Sequence, residues 1–423
     1  MRKRLKRFVV VLALLGIVFL IAAAAIVYFS VANTIEIKIE IPPFKNNQHI
    51  IRLDSQVLSS DSITRYVSAL MDKADVHGMG ISIINNNDLV YQNYFGFKNK
   101  EKKHRFEPGT IFYGASFSKA IFADIVLQLI SENVLQLDTP LYRYLEKPLY
   151  SYRTNLFQQL FGANFIDYSD LEADDRHKKL TARMCLSHTT GLPNWRWLEP
   201  EKRLKIKFEP GTRYHYSGEG MFLLQFVIEK LTRKTFEEIA IEKVFQPLGL
   251  LRSSFVWQRA YEGNYAVGHD ANGKDLRIPK QNVANAAGSL STTLEEYTAF
   301  FKFVLQQKEN RHQHLITPQI RIKSKQQFGP NALIDVNDND TIRLSYGLGL
   351  GLYQTRHGKA FFKEGHLDGW QHYAVGFPSK GTGLVIMSNS DNAESIFKEL
   401  VEFTLANNST PWFWEGYIPY GSK

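Results

Sequence analysis

The sequence predicts an α+β fold: one antiparallel sheet built from both ends of the chain, flanked by helices, with a helical subdomain between and a transmembrane helix in front. Three observations predict it. Short apolar β runs cluster near 79–95 and again near 346–387, the stretch from about 146 to 286 is rich in helix and loop, and 8–29 is an uncharged, almost wholly apolar run. A cleft between sheet and helical insertion is the natural place for a site.

The N-terminus comes first. MRKRLKR carries five positive charges, and about 22 apolar residues follow. A bilayer-crossing helix takes roughly 20, whereas the apolar core of a cleaved signal peptide is only about 7–15. An uncleaved single-pass anchor over 1–33 is therefore expected, although Ser30-Val31-Ala32 is a passable cleavage site. The positive-inside bias puts residues 1–7 in the cytoplasm and everything after about Thr34 outside. Residues 34–61 read as a linker and extended segment.

The 423 residues are 44% hydrophobic and 22% charged, which specifies a packed body rather than disorder. Without the five leader charges the formal +9 falls to +4, and no stripe of Lys and Arg interleaved with aromatics appears. That excludes a nucleic-acid partner. Cys185 is the single cysteine, so no intrachain disulfide forms; in MCLSH it reads as a small core residue. No H-E-x-x-H or paired-cysteine pattern occurs, so neither metal nor cofactor is implied, and no obligate protein partner is inferred.

In chain order, a helix is expected at 62–73, then strands at 79–84 and 89–95 around an Asn-rich turn. Ile121, Val126, Leu127 and Ile130 form the apolar face of a helix running to about 131. Further helices are expected at 220–231, 236–245 and 294–307, the last started by Ser291-Thr292-Thr293. Strands follow at 346–353, 359–362, 373–377 and 383–387, then a helix at 393–405. The main domain is 62–410, with an α/β part at 62–115 and 286–410 and a helical part at 116–285. The aromatic tail, 411–423, either lies on a membrane surface or packs against the domain, and packing is the expectation.

The stretch YGASFSKAIFA (113–123) sets Ser116 and Lys119 three residues apart at a helix start. One turn apart, they project on the same side. A lysine whose pKa is lowered by burial or cationic neighbours can take a serine's proton. The ordinary alternative is an N-capping serine and a solvated lysine. The spacing recurs at Ser395 and Lys398 in the closing helix, so the pattern alone decides nothing. Two further stretches carry chemistry: PGTRYHYSGEG (210–220) places Tyr216 before an apolar helix, and FFKEGHLDGWQHYAVGFP (361–378) sets Lys363-Glu364-Gly365 in a hairpin.

Together with ENVLQLDTPLYRYL (132–145), LSHTTGLP (186–193), VFQPLGL (244–250) and AAGSLSTT (286–293), these stretches make a recognisable series. In that order the chain resembles the serine β-lactamase and penicillin-binding-protein superfamily, in particular the class C β-lactamase-related serine hydrolases. The resemblance covers about 62–405 and implies a β-lactamase/D,D-peptidase-like fold. It further implies that Ser116 is an acylated nucleophile and Lys119 its proton-handling partner. Tyr216 would share the acid/base work, and Lys363 would support it and anchor substrate. The backbone N–H groups of Ser116 and His366 would form the oxyanion hole. Lys119 and Lys363 flanking Tyr216 would lower its pKa toward a useful base.

Two positions that contact substrate depart from the family pattern. Gly218 stands where an asparagine is usual, which moves the expectation toward ester or other small acyl substrates. Glu364 stands where a threonine helps bind a substrate carboxylate, beside Gly365; it either repels such a carboxylate from the cleft or alternates away from it. A register placing His366 at the lysine position loses the match of Gly369, Tyr373 and Pro378, so Lys363 is preferred. His188 reads as holding a turn behind the site, and Trp195 and Trp197 as cleft wall or core.

The expected function is a membrane-anchored, extracytoplasmic serine hydrolase at a bacterial cytoplasmic membrane, acting through an acyl-enzyme on Ser116 on an ester, amide or D-amino-acid peptide. The alternative is a cell-wall D,D-peptidase, penicillin-binding protein or β-lactamase. A further alternative is a non-catalytic scaffold of the same fold that binds acyl ligands.

Overall fold

Strand alternation decides the architecture. In the computed structural model, which describes residues 42–154 and 166–422, a short antiparallel pair (His49–Ile51 and Val57–Ser59) comes first, and the strands after it are β1 (Gly78–Asn85), β2 (Asp88–Asn99), β3 (His104–Arg105), β4 (Phe112–Ala115), β5 (Leu290–Thr292), β6 (Ile320–Arg321), β7 (Ser345–Tyr346), β8 (Gly351–Thr355), β9 (Gly358–Leu367), β10 (Trp370–Phe377) and β11 (Thr382–Ser388). Nine of them form an antiparallel sheet in the order β3-β2-β1-β11-β10-β9-β8-β7-β6. The first and last thirds of the chain therefore meet at β1 and β11.

Both faces of this sheet are covered. Met79, Ile81 and Ile83 of β1, Leu384 and Ile386 of β11, and Tyr373 and Val375 of β10 bury one face. They pack against Ile63, Val67 and Leu70 of α1 (Ser60–Ala74) and the closing helix (Phe397–Leu405). The alternate residues Val385, Met387, Ala374 and Phe361 join the other core with α2 (Ser118–Ser131), α3 (Gly218–Thr232) and α4 (Leu294–Leu305). Burial on both faces leaves only the small residues Gly80 and Ser82 between Met79, Ile81 and Ile83 on β1.

Three sequence readings are refined. The strand read at 346–353 is two, β7 and β8, because Gly347–Leu350 turns inward. Gly349 has φ +84°, and a Cβ there would stand 2.4 Å from that of Ala123 on α2, so the turn braces that helix. The helix read at 236–245 ends at Ala240 and continues to Phe245 as a π turn. The tail packs: Trp412 and Trp414 are buried, and the Trp414 indole N–H donates to Ser324 Oγ at 3.0 Å.

The transmembrane helix requires correction. No helix among the described residues is long and apolar enough to cross a membrane. The longest of those named here, α1 and α3, have 15 residues each, about 22 Å of rise against a hydrocarbon core of about 30 Å. Residues 8–29, to which the sequence assigns the anchor, lie outside the described residues. The anchor is therefore withdrawn from fold, partners and localisation alike, leaving the sheet-and-helix body.

Candidate active site

Ser116 occupies the turn between β4 and α2. Ala115, just before it, has φ +46°, a left-handed conformation costly for a residue with a Cβ. Ser118 holds this turn: its hydroxyl donates to the Ala115 carbonyl at 2.6 Å and accepts from the Leu290 N–H at 3.0 Å. The helix N-cap is Phe117, with no side-chain cap. The Ser116 hydroxyl is thus not used as a cap and is left to face the cleft.

Lys119 has no exposed surface, because α2 is buried on nearly every side. Its Nζ lies 2.9 Å from Ser116 Oγ and 2.5 Å from the Ala287 carbonyl. Burial, and then the nearby Lys363 cation, hold its amine well below the usual lysine range, with Glu364 opposing. A neutral amine beside a hydroxyl is a proton acceptor.

Tyr216 sits one residue before Ser217, which caps α3 by accepting from the Gly220 N–H at 2.9 Å. Its phenol shares a hydrogen bond with Ser116 and accepts one from Lys363 Nζ at 3.2 Å. Here the sequence expectation is corrected. Burial outweighs the Lys363 cation, and the Tyr216 pKa is pushed up to about 12. The phenol stays protonated at neutral pH and can relay a proton, but it is no phenolate base. His188 packs its ring 4.2 Å from that of Tyr216, and its Nδ1 accepts from the Ser217 N–H at 3.1 Å.

Lys363 and Glu364 alternate on β9, yet they meet. The β8 partner begins at Gly351, opposite Phe362, so β9 has no β8 neighbour beyond that pair and space opens there. Lys363 Nζ donates to the Glu364 carboxylate at 2.9 Å and to its carbonyl at 3.0 Å. Gln327 Nε2 donates to the same carboxylate oxygen at 2.8 Å. Burial alone would depress the Lys363 amine, but Glu364 and Tyr216 hold it raised; burial likewise opposes the Glu364 charge, and Lys363 holds the carboxyl below its usual range. Glu364 is buried and turns back onto Lys363 beside Tyr216, so it does not alternate away from the site.

Gly365 runs beside the nucleophile turn: a Cβ there would come within 3.0 Å of the Gly114 carbonyl. His366 follows, its ring 3.5 Å from Glu394. Gly218 has a steric reason, since a Cβ would stand 2.6 Å from the Trp195 ring. That ring fills the space of a larger side chain and lies 5.8 Å from Lys119 Nζ. The Gly218 N–H donates to Asn194 Oδ1 at 3.1 Å.

The sequence reading missed several contributors. Ala287 lay in the quoted AAGSLSTT, but a carbonyl role leaves no residue-type signal. Gln327 lies in a stretch with no motif. His372 accepts from the Ser388 N–H at Nδ1 and so carries its proton at Nε2, 2.8 Å from the Tyr113 carbonyl. It ties the sheet to the nucleophile strand.

A half-buried serine against a buried lysine, a protonated tyrosine and a second buried lysine on β9 define a serine hydrolase of the β-lactamase and penicillin-binding-protein fold. A family model described as Beta-lactamase matches residues 63–405. The chain belongs to that family. It is 21% identical over 367 residues to Protein flp of Staphylococcus aureus (strain NCTC 8325 / PS 47), covering 81% of this chain and 65% of that one. The chain thus spans a little under two thirds of that relative. A Putative D-alanyl-D-alanine carboxypeptidase of Escherichia coli O157:H7 is 26% identical over 211 residues, 46% of each chain.

Among solved structures, the octameric penicillin-binding protein homologue from Pyrococcus abyssi superposes with a TM-score of 0.65 at 22% identity, covering 83% of this chain and 78% of that one. D-alanine Carboxypeptidase AmpC from Burkholderia cenocepacia gives 0.59 at 18% identity, covering 78% and 93%. These likenesses establish the fold.

Proposed function

We propose that this protein is a penicillin-binding-protein-type D,D-peptidase that works through an acyl-enzyme on Ser116. The observation that carries the reading is the 2.9 Å approach of a fully buried, depressed-pKa Lys119 amine to the Ser116 hydroxyl. Lys119 takes the Ser116 proton as Oγ attacks the scissile carbonyl. The N–H groups of Ser116 and His366 receive the oxyanion, for which each such donor contributes about 10²–10³ in rate. Tyr216, linked to Lys363, hands its phenol proton to the leaving amine as the C–N bond breaks. It receives in return the proton that Lys119 took from Ser116, so that the Lys119 amine is again neutral and the phenol again protonated. Water then attacks the Ser116 ester, releasing the acid and restoring the serine.

The membrane-anchored reading with open-ended ester or amide substrates gives way to this narrower one. The relatives, a penicillin-binding protein homologue and proteins named as D-alanine and putative D-alanyl-D-alanine carboxypeptidases, favour a D-alanyl peptide over a simple ester. Gly218 does not weigh against it, because Trp195 fills the space at that position and Asn194 brings a side-chain amide to its backbone.

The test is covalent labelling of the full chain by a fluorescent penicillin and by a fluorophosphonate, with Ser116→Ala as control. Both labels on wild type and neither on the variant is the expected result, with the penicillin supplied in excess because it carries a free carboxylate. Fluorophosphonate labelling without penicillin labelling would turn the assignment toward an esterase.

A further inference from the structure

We propose that Glu364 is a specificity-determining residue: by compensating the Lys363 charge, it sets the acyl site to take scissile bonds whose leaving group carries no free carboxylate. This narrows the D,D-peptidase just proposed to D-alanyl bonds that are not carboxyl-terminal, and it rests on Ser116 being the acylated residue.

A lysine offers three N–H donors. Lys363 commits all three to protein acceptors: the Tyr216 hydroxyl at 3.2 Å, the Glu364 carbonyl at 3.0 Å and the Glu364 carboxylate at 2.9 Å. It has no exposed surface. No donor is left for a substrate anion, and the cation is already half of an ion pair. A second carboxylate would enter a desolvated site next to the Glu364 charge, where like charges repel far more strongly than in water. The pair is itself well held. Gln327 donates to Glu364, and its own backbone N–H donates to the Trp414 carbonyl at 2.8 Å, so the C-terminal tail fixes the carboxylate's position.

The mouth of the site carries an independent sign. Trp197 is 54% exposed and Phe328 40% exposed. Trp197 stacks on Trp195 at 4.8 Å, and Phe328 meets the Tyr216 ring edge-on at 5.1 Å. The neighbouring cation, Arg196, turns to Glu219, with Nε and a terminal nitrogen 2.9 and 2.7 Å from its two carboxylate oxygens. His366 faces Glu394 at 3.5 Å. What the mouth presents is flat aromatic surface and compensated charge, suited to an internal, amidated or esterified leaving residue.

The test uses two thioesters with one N-acyl-D-alanyl group, whose leaving thiol bears a free carboxylate in one and its methyl ester in the other. Both are assayed on the full chain, with fluorophosphonate titration of reactive Ser116. Wild type is expected to show a kcat/KM at least tenfold higher for the methyl ester. In Glu364→Gln, which removes the charge and keeps the side-chain shape, the ratio is expected to move at least fivefold toward the free acid, chiefly through KM. A wild-type preference for the free acid overturns the proposal without any variant. So does an unchanged ratio in a folded Glu364→Gln protein. Absence of the fluorophosphonate label overturns the acyl-enzyme reading itself, and this proposal with it.

Discussion

Trp195 occupies the space that any side chain at position 218 would need: a Cβ on Gly218 would stand 2.6 Å from its ring and 2.8 Å from the Asn194 carbonyl. The glycine in this motif is therefore the counterpart of an aromatic wall, and the two positions are one structural unit. Gly218→Asn should cost about 1–3 kcal/mol, the usual range for overpacking. Adding Trp195→Ala should recover part of that loss, although the backbone clash remains. Urea unfolding of the single and double variants measures the coupling, and strictly additive effects would contradict it.

Lys119 supplies the base only while its amine is neutral. Because burial and Lys363 depress its pKa, kcat/KM should rise with pH through a value well below that of an ordinary lysine and stay high above it. Lys119→Arg keeps the charge at every working pH and should lose about 10²–10⁴ in rate. A pH–rate profile with no acid limb below the ordinary lysine range would argue against Lys119 as the base.

Tyr216 acts as a protonated relay. Tyr216→Phe should lower kcat by about 10²–10⁴ while leaving the fold intact. Since burial pushes its pKa up to about 12, an ultraviolet difference titration of wild type against this variant should show no Tyr216 ionisation below about pH 11. A phenolate signal near neutrality would restore the tyrosine-base mechanism.

His372 makes the fold sensitive to acid. Burial lowers its pKa to about 4 from the usual 6.5, so between those values the unfolded chain binds the proton and the folded one does not. Its contribution is whole above pH 6.5 and declines as the pH falls toward 4, by about 1.4 kcal/mol per unit at most. His215, also lowered to about 4 by burial, adds a slope of the same sign. Urea midpoints from pH 7 to 4 should fall steeply for wild type and less steeply for His372→Gln.

The sheet and its flanking helices were legible because β1, β10 and β11 carry apolar residues at period two and α1 and α4 carry them at helical spacing. The break between β7 and β8 was not, since the four inward-turning residues Gly347–Leu350 are themselves partly apolar. Ser116, Lys119, Tyr216 and Lys363 were legible as residue types in a series. Their electrostatics were not: counting cations predicts a lowered Tyr216 pKa, whereas burial, which a sequence does not display, outweighs them. Glu364 was read as an odd residue with two possible directions. That it folds back onto Lys363 depends on where β8 begins.

Catalysis on Ser116 requires a single covalent bond, between its Oγ and the acyl carbon of the substrate. A D-alanyl thioester incubated with the full chain, quenched in acid within the first turnovers and digested, should leave its acyl mass on the peptide containing Ser116. The Ser116→Ala protein should carry none and should not turn over. An acyl group on another residue, or turnover that survives Ser116→Ala, would contradict the acyl-enzyme mechanism.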